Sequence, residues 1–207
     1  MFALWICFLM QGIYSDETVT ARTEQTGMRR FLAIGDSLTE GYFRNGYSFH
    51  PYANRLNALF HENSINFEVT EHGISGETTR RISSRLMTYL KTEEKWDTVC
   101  ILSGTNDLAY EFSVEEITAE LNSMYTAVLD HQARLVCCTI PESLYKEVYY
   151  VTRRSGINQH IRQFAQANPS TTILVDLEKE LPYFHHNAKD SRYWDDNLHM
   201  NAAGYDR

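Results

Sequence analysis

The chain has 207 residues, of which 43% are hydrophobic and 22% charged, so its length and composition fit one globular domain with a sizeable core. Its formal charge of -8, with no cluster of Lys or Arg, excludes a protein that binds a nucleic-acid backbone. The four cysteines lack the spacing of a disulfide framework or a metal motif, which predicts buried thiols in a reducing compartment.

The N-terminus combines an apolar segment over the first ten residues with a polar, threonine-rich stretch. The apolar segment is too short to span a membrane, lacks a basic flank and is followed by a poor cleavage site. We therefore predict an N-terminal extension over residues 1–27, either a weak signal peptide or an unstructured leader, followed by one domain over residues 28–207. We expect the protein in the cytoplasm, or secreted if residues 1–15 act as a signal peptide.

Strands and helices alternate along the rest of the chain. Apolar or alternating runs predict five strands, over residues 31–36, 66–72, 98–102, 134–140 and 171–177. Helical spacing of apolar residues predicts helices over residues 47–62, 77–90 and 153–167, and a capping box at residues 113–116 opens another. This order predicts a three-layer α/β/α sandwich around a mainly parallel five-stranded sheet.

The last residues begin a helix-like segment after His199 and then stop. Since a final amphipathic helix would be expected to cover the sheet, we interpret the C-terminal helix as missing. A further hypothesis is that the apolar N-terminal segment covers that surface instead.

Small polar clusters follow the predicted strands. They comprise Gly35-Asp36-Ser37, the stretch from Gly73 to Thr78, Gly104-Thr105-Asn106-Asp107 and, near the C-terminus, Trp194 to His199. The carboxyl ends of parallel strands share one sheet edge, so these clusters are expected to meet in one cleft. Taken alone, Ser37 is more typical of a helix cap than of a nucleophile, because Ser and Asp are common N-caps.

Together the clusters contain what acyl transfer requires. A serine such as Ser37 becomes nucleophilic when an imidazole such as His199 takes its proton, and the imidazole in turn needs a carboxylate. Asp196 and His199 are spaced so that both side chains can face the same way on one turn. The N–H groups of Ser37 and Gly76 and the amide of Asn106 could stabilise the oxyanion.

These four clusters resemble, in the same order, the four sequence blocks of the SGNH, or GDSL, hydrolases. The resemblance implies a flavodoxin-like sheet and a serine esterase that needs no metal or cofactor. By motif, Ser37 would be the nucleophile, His199 the general base and then acid, and Asp196 its orienting carboxylate. Gly76 and Asn106 would join the Ser37 amide in the oxyanion hole. Met200 departs from the family, which usually has proline after the histidine.

Several residues have competing interpretations. Gly73 rivals Gly76 because either could serve the turn, although the motif favours Gly76. Asn106 could instead be a turn residue. Asp195 competes with Asp196 as the acid, although the spacing to His199 favours Asp196. Asp36 and Asp107 are expected to be structural.

A metal site is not expected, although His185 and His186 could be grouped with Asp195, Asp196 and His199. Aromatic residues crowd the loops at the expected active edge and could bind an acyl chain, stack on sugars or only pack the loops: Tyr42, Phe43, Tyr110, Phe112, Tyr145, Tyr149, Tyr150 and Trp194.

The expected partner is a small-molecule or lipid ester, with no nucleic acid and no stable membrane span. The leading hypothesis is an acylhydrolase of the lysophospholipase or thioesterase type, and the alternative is a carbohydrate O-deacetylase. A non-catalytic flavodoxin-like binding module and a metal-dependent phosphoesterase are further alternatives.

Overall fold

The computed structural model describes residue 3 and residues 6–10, 27–92, 95–183 and 191–207. Its strands are β1 (Arg29–Gly35), β2 (Tyr42–Phe43), β3 (Ser48–Phe49), β4 (Phe67–Gly73), β5 (Thr98–Leu102), β6 (Arg134–Cys138) and β7 (Thr172–Val175). Five of them form a fully parallel sheet in the order β4-β1-β5-β6-β7, while β2 and β3 form a small antiparallel pair. Numbered along the chain, the large sheet has the order 2-1-3-4-5 of flavodoxin-like folds, as predicted.

The helices are α1 (Ser37–Glu40), α2 (Tyr52–Glu62), α3 (Thr79–Leu90), α4 (Thr105–Ala109), α5 (Val114–Asp130), α6 (Val148–Ala167), α7 (Leu177–Glu180) and α8 (Ala202–Tyr205). The predicted start of α2 at residue 47 was wrong, because residues 48–49 pair in β3 and Pro51 restricts the residue before it. The predicted start of this helix at residue 153 was five residues too late, because α6 begins at Val148.

Both faces of the sheet are covered, which explains why every strand of it except β4 contains a continuous apolar run. Along β1, Phe31 and Ala33 point into one buried cluster, while Leu32 and Ile34 point into another. The first cluster contains the apolar side of α2, and the second contains those of α3, α5 and α6. The helices therefore lie on both sides of the sheet, as the predicted three-layer sandwich requires.

Part of the predicted N-terminal extension packs into the first of these clusters. Residues 6–10 are helical, and Ile6, Cys7 and Met10 are buried against the same cluster as α2. Asn63, just after α2, donates to the Cys7 sulfur at 3.8 Å. The packing agrees with the hypothesis that the apolar segment covers this face, whereas a domain boundary at residue 28 stays a prediction. Within the described part of the chain, no helix has the length and apolar character to cross a membrane.

The register of the central strands brings their carboxyl ends level. Gly35 at the end of β1 pairs with Gly73 of β4 and with Leu102 of β5. A side chain at Gly35 would collide with Thr39, and one at Gly73 would collide with the Glu40 backbone. These glycines therefore let α1 pack directly on the strand ends, where the polar clusters meet.

Candidate active site

Ser37 is the first residue of α1 and is buried. Asp36, immediately before it, is the N-cap, because its carboxylate Oδ1 accepts the Leu38 N–H at 3.0 Å. The capping role that the sequence left open for Ser37 thus belongs to Asp36. The Ser37 hydroxyl is left to face the C-terminal segment.

His199 lies between Ser37 and Asp196. Its Nε2 is 2.9 Å from Ser37 Oγ, and its Nδ1 is 2.8 Å from Asp196 Oδ2. With a proton on Nδ1, the ring donates to the carboxylate and accepts from the hydroxyl. The three side chains thus form one hydrogen-bonded chain, although Ser37 and His199 are 162 positions apart in the sequence.

Asp196 is also held by the backbone. Its Oδ1 accepts the N–H groups of Leu198 at 2.7 Å and His199 at 2.6 Å. Burial alone would raise the pKa of Asp196, but these bonds and the His199 ring outweigh it and lower the pKa below its usual value. Asp195, its rival in the sequence, is exposed and accepts the Arg44 N–H at 2.6 Å. The structure therefore brings Asp196, and not Asp195, to the histidine.

The segment that carries His199 is docked on the β2 region. The Tyr42 ring lies against the His199 ring with centroids 4.5 Å apart, and the Tyr205 hydroxyl donates to the Tyr42 carbonyl at 2.8 Å. Trp194 and Met200 form an isolated antiparallel bridge, and Met200 is buried. Methionine at the position where the family usually has proline therefore contributes to the core.

Gly76 and Asn106 follow β4 and β5, Gly76 in a turn and Asn106 in the short helix α4. Gly76 adopts a left-handed conformation, with φ of 81°, in an exposed turn. Asn106 Nδ2 donates to the carbonyl of Glu77, the residue after Gly76, at 2.8 Å, which ties α4 to this turn. An amide nitrogen carries two hydrogens, so one Asn106 hydrogen remains for a ligand. Gly73, the rival of Gly76, has the packing role against α1 described above.

Arg85 on α3 supports the same loops and was missed in the sequence. It donates to the carbonyls of Gly35 at 3.1 Å and His72 at 2.6 Å, and its Nη2 is 2.6 Å from Glu77 Oε2. The ion pair is largely buried on both sides. No motif or spacing marks these contacts, because they join positions far apart in the chain.

Glu40 at the end of α1 fixes the other side of the Gly76 turn. Its carboxylate accepts the Ser75 N–H at 2.8 Å and also the Ser75 hydroxyl. The turn is therefore held by a carboxylate from α1 and, through Glu77, by Arg85.

Two further buried carboxyls have structural partners, as the sequence suggested. Asp107 accepts the Thr79 N–H at 2.9 Å and the Thr79 hydroxyl at 2.9 Å, where α3 begins. Burial raises its pKa. Burial also raises the pKa of Asp36 to about 7, because its capping bond only partly offsets the loss of water.

A cavity of about 410 Å³ opens beside Asn106 and Leu198. Three of the aromatic residues singled out in the sequence line it, namely Tyr145, Tyr149 and Tyr150. The others lie elsewhere: Tyr42 contacts His199, Trp194 packs on Tyr183, and Phe112 borders a separate cavity of about 320 Å³. The first cavity is therefore the candidate substrate pocket.

The histidines that could be grouped into a metal site from the sequence, His185 and His186, lie outside the described residues. Among the residues that are described, no group of three or more His, Cys, Asp or Glu is arranged to hold a metal ion.

Solved structures with the same fold are esterases and lipases by their titles. A lipase/acylhydrolase from Enterococcus faecalis matches with a TM-score of 0.70 and 23% identity, over 86% of this chain and 90% of that one. A GDSL-like lipase from Bacteroides thetaiotaomicron matches with a TM-score of 0.66 and 18% identity, over 100% of this chain and 93% of that one. A carbohydrate acetylesterase family member from Sinorhizobium meliloti matches with a TM-score of 0.68 and 17% identity, over 86% of this chain and 92% of that one.

The family is identified by a match between the sequence and a family model. No curated protein matches the chain. The model of the GDSL-like lipase/acylhydrolase family matches residues 33–207, a range that contains all five residues of the site described above. The chain therefore belongs to the GDSL-like lipase/acylhydrolase family and is an ester-hydrolysing enzyme.

Proposed function

We propose that this enzyme cleaves carboxylic esters or thioesters through an acyl-enzyme formed on Ser37. The observation that carries the proposal is the position of the His199 ring, within hydrogen-bond distance of both Ser37 Oγ and Asp196 Oδ2. A nucleophile, a base in contact with it and a carboxylate that orients the base are the arrangement that serine hydrolysis requires.

In the first half of the reaction, His199 Nε2 takes the Ser37 proton as Oγ attacks the carbonyl carbon. The tetrahedral intermediate collapses, the bond to the leaving group breaks, and His199 gives its proton to the departing alcohol or thiol. In the second half, His199 takes a proton from water, which attacks the acyl-enzyme carbonyl. Collapse of that intermediate releases the acid and returns the proton to Ser37. Asp196 stabilises the imidazolium in both halves, and its lowered pKa favours the charged form this needs.

We assign the oxyanion hole to the N–H groups of Ser37 and Gly76 and to the Asn106 amide. Ser37 is the first residue of α1, so its N–H has no acceptor within the helix. Asn106 is fixed by the Glu77 carbonyl while keeping one hydrogen for the substrate. Preorganised donors of this kind lower the barrier because they need no reorientation when the charge develops.

The substrate we favour is a small-molecule or lipid ester, as for an acylhydrolase of the lysophospholipase or thioesterase type. The cavity beside Asn106 supports this choice, because its tyrosine rings and Leu108 offer an apolar wall for an acyl chain. A carbohydrate O-deacetylase is the second candidate, since the same three tyrosines could stack on sugar rings. The fold shared with a carbohydrate acetylesterase family member keeps this candidate open.

The test compares Ser37→Ala with Ser84→Ala, which removes a hydroxyl from an exposed position on α3. Wild type and Ser84→Ala should react with a fluorophosphonate probe and hydrolyse 4-nitrophenyl esters, whereas Ser37→Ala should do neither. A series from acetate to laurate, beside an acetylated xyloside, separates the two substrate candidates.

Two outcomes would reject the proposal. A wild-type protein that neither labels nor cleaves any ester would favour a non-catalytic binding module. Phosphoesterase activity that survives Ser37→Ala and disappears with a chelator would favour a metal-dependent enzyme.

A further inference from the structure

Arg153, on the first turns of α6, has no ion-pair partner among the residues that the structure describes. The residue is only 6% exposed, and its Nη1 donates to the Leu108 carbonyl at 3.3 Å. Its Nε and Nη2 are buried and have no hydrogen-bond partner among the residues that the structure describes. A buried guanidinium without a counter-charge is costly, and a ligand that supplied the counter-charge would offset this cost.

The contrast with other arginines sharpens this observation. Arg154, the next residue, is equally buried but lies 3.3 Å from Glu178 and 3.8 Å from Glu142. Arg162, on the same helix, presents its Nε and Nη2 to the two oxygens of Asp176 at 2.9 and 2.7 Å. In Arg162 the edge formed by Nε and Nη2 thus binds a carboxylate, and in Arg153 no acid of the described segments lies opposite that edge.

Arg153 borders the candidate substrate pocket, together with Asn106 and Leu198. Asn106 is the assigned oxyanion donor, and Leu198 precedes His199. A group bound by Arg153 would therefore lie in a cavity that reaches Asn106 and the residue next to His199.

The other groups of the pocket limit what Arg153 can accept. The Tyr149 ring lies over the guanidinium, with 4.9 Å between Cζ and the ring centre, and is itself 62% exposed. Glu111 and Glu147 also line the cavity, but both are exposed, where water and salt screen their charge. They would still disfavour a large polyanion and leave a single compact anion as the better ligand.

We propose that this cavity selects esters bearing a carboxylate. The Nε and Nη2 edge of Arg153 binds this carboxylate through bidentate hydrogen bonds. Two parallel hydrogen bonds match the spacing of the two carboxylate oxygens. This specificity rests on the proposed function, in that Ser37 cleaves the ester whose carboxylate Arg153 holds.

The kinetic test uses substrate pairs that differ in the carboxylate. 4-Nitrophenyl hydrogen adipate against 4-nitrophenyl hexanoate places the charge on the acyl side, and 4-acetoxybenzoate against 4-acetoxybenzamide places it on the alcohol side. In one of the two pairs, wild type should prefer the anion, and Arg153→Met should lower kcat/KM for that anion by about 10- to 100-fold while changing the neutral partner little. Arg81→Met, which removes the same charge from an exposed site, should behave as wild type.

A binding measurement keeps the inference testable apart from catalysis. By calorimetry, Ser37→Ala protein should bind adipate more tightly than adipamide, and Ser37→Ala/Arg153→Met, if folded by circular dichroism, should lose that difference. Loss of ester hydrolysis with retained adipate binding would reject the proposed function but not this site. Equal binding of adipate and adipamide by Ser37→Ala, or equal losses for charged and neutral esters in Arg153→Met, would overturn the inference.

Discussion

Two carboxyl groups of the site have opposite pKa shifts. Asp196 accepts bonds from two N–H groups and from the His199 ring, which outweigh its burial and lower its pKa. Asp36 is fully buried with one capping bond, and burial raises its pKa to about 7. At neutral pH the first is therefore ionised, whereas the second titrates close to neutrality.

Replacing Asp196 with asparagine should disable the histidine while leaving the hydrogen-bonded loop largely intact. An amide can offer Nδ2–H to the ring, so the imidazole would adopt the tautomer that cannot take the Ser37 proton. We expect kcat to fall by about 10³- to 10⁴-fold. The comparison is Asp195→Asn, which removes an exposed charge while keeping an oxygen for the Arg44 N–H, and should stay near wild type. Equal losses in both variants would contradict the assignment.

Asp36 should make the protein less stable as the pH rises through its titration range. Its pKa is near 3.9 in an unfolded chain and about 7 in the fold, so the folded state binds more protons between these values. The free energy of unfolding should therefore decrease from about pH 4 to pH 7.

The variant Asp36→Asn keeps an oxygen to cap α1 and removes the titration. Urea unfolding at pH 5 and pH 7.5 should show a smaller decrease in the variant than in wild type. Unchanged pH dependence would show that another group is responsible. Asp196 acts in the opposite direction and in a lower window, since its stabilising contribution is present above about pH 3.9 and is lost below it.

We expect helix α3 to contribute to catalysis by positioning, through Arg85. The guanidinium binds the carbonyls at the ends of β1 and β4 and the carboxylate of Glu77, whose own carbonyl holds Asn106. Removing it would loosen the turn that carries Gly76 and the amide of Asn106 together.

We expect Arg85→Met to lower kcat for 4-nitrophenyl esters by about 10- to 100-fold, less than the loss of a whole oxyanion donor. KM should change little, because Arg85 does not border the candidate pocket. Arg85→Lys should recover part of the activity, and Arg81→Met on the same helix should have no effect. If kcat is unchanged while the melting temperature falls, Arg85 has only a structural role.

Regular elements were predictable from the sequence where they are long and face the core. The buried parallel strands read as apolar runs because both faces are covered, and α3 and α5 show clear helical spacing. The two-residue strands β2 and β3 and the five-residue helix α4 escaped prediction, since elements so short contain no period.

The residues of the site divide in the same manner. Ser37, Asp196 and His199 were predicted by motif, and the structure brings them into contact. The roles of Arg85 and Arg153 were not predicted, because they depend on tertiary contacts. Arg85 contacts Gly35, 50 positions away, and Arg153 contacts Leu108, 45 positions away. Local spacing indicates which groups can react, whereas the groups that orient and select depend on the tertiary fold.

At the scale of the whole molecule, the short N-terminal helix over residues 6–10 should stabilise the fold through its buried face and not through its exposed face. Ile6 is fully buried in the cluster with α2, whereas Phe8 on the same short helix is 73% exposed. Burying a large apolar side chain is worth about 1.5–3 kcal/mol, and an unpaired carboxylate in its place adds a desolvation cost.

We therefore expect Ile6→Asp to lower the free energy of unfolding in urea by several kcal/mol, and Phe8→Asp to change it by about 0.5 kcal/mol or less. If the two variants prove equally stable, residues 6–10 do not form part of the folded core.

The separation of Ser37 and His199 in the chain has a consequence during synthesis. A growing chain emerges from the ribosome with its N-terminus first, so Ser37 and the sheet around it are made long before the segment that carries Asp196 and His199. In the proposed mechanism, the serine has no base until that segment docks on Tyr42. We therefore expect the nascent protein to resist acylation at Ser37 and to react with fluorophosphonates only after the C-terminal segment has docked.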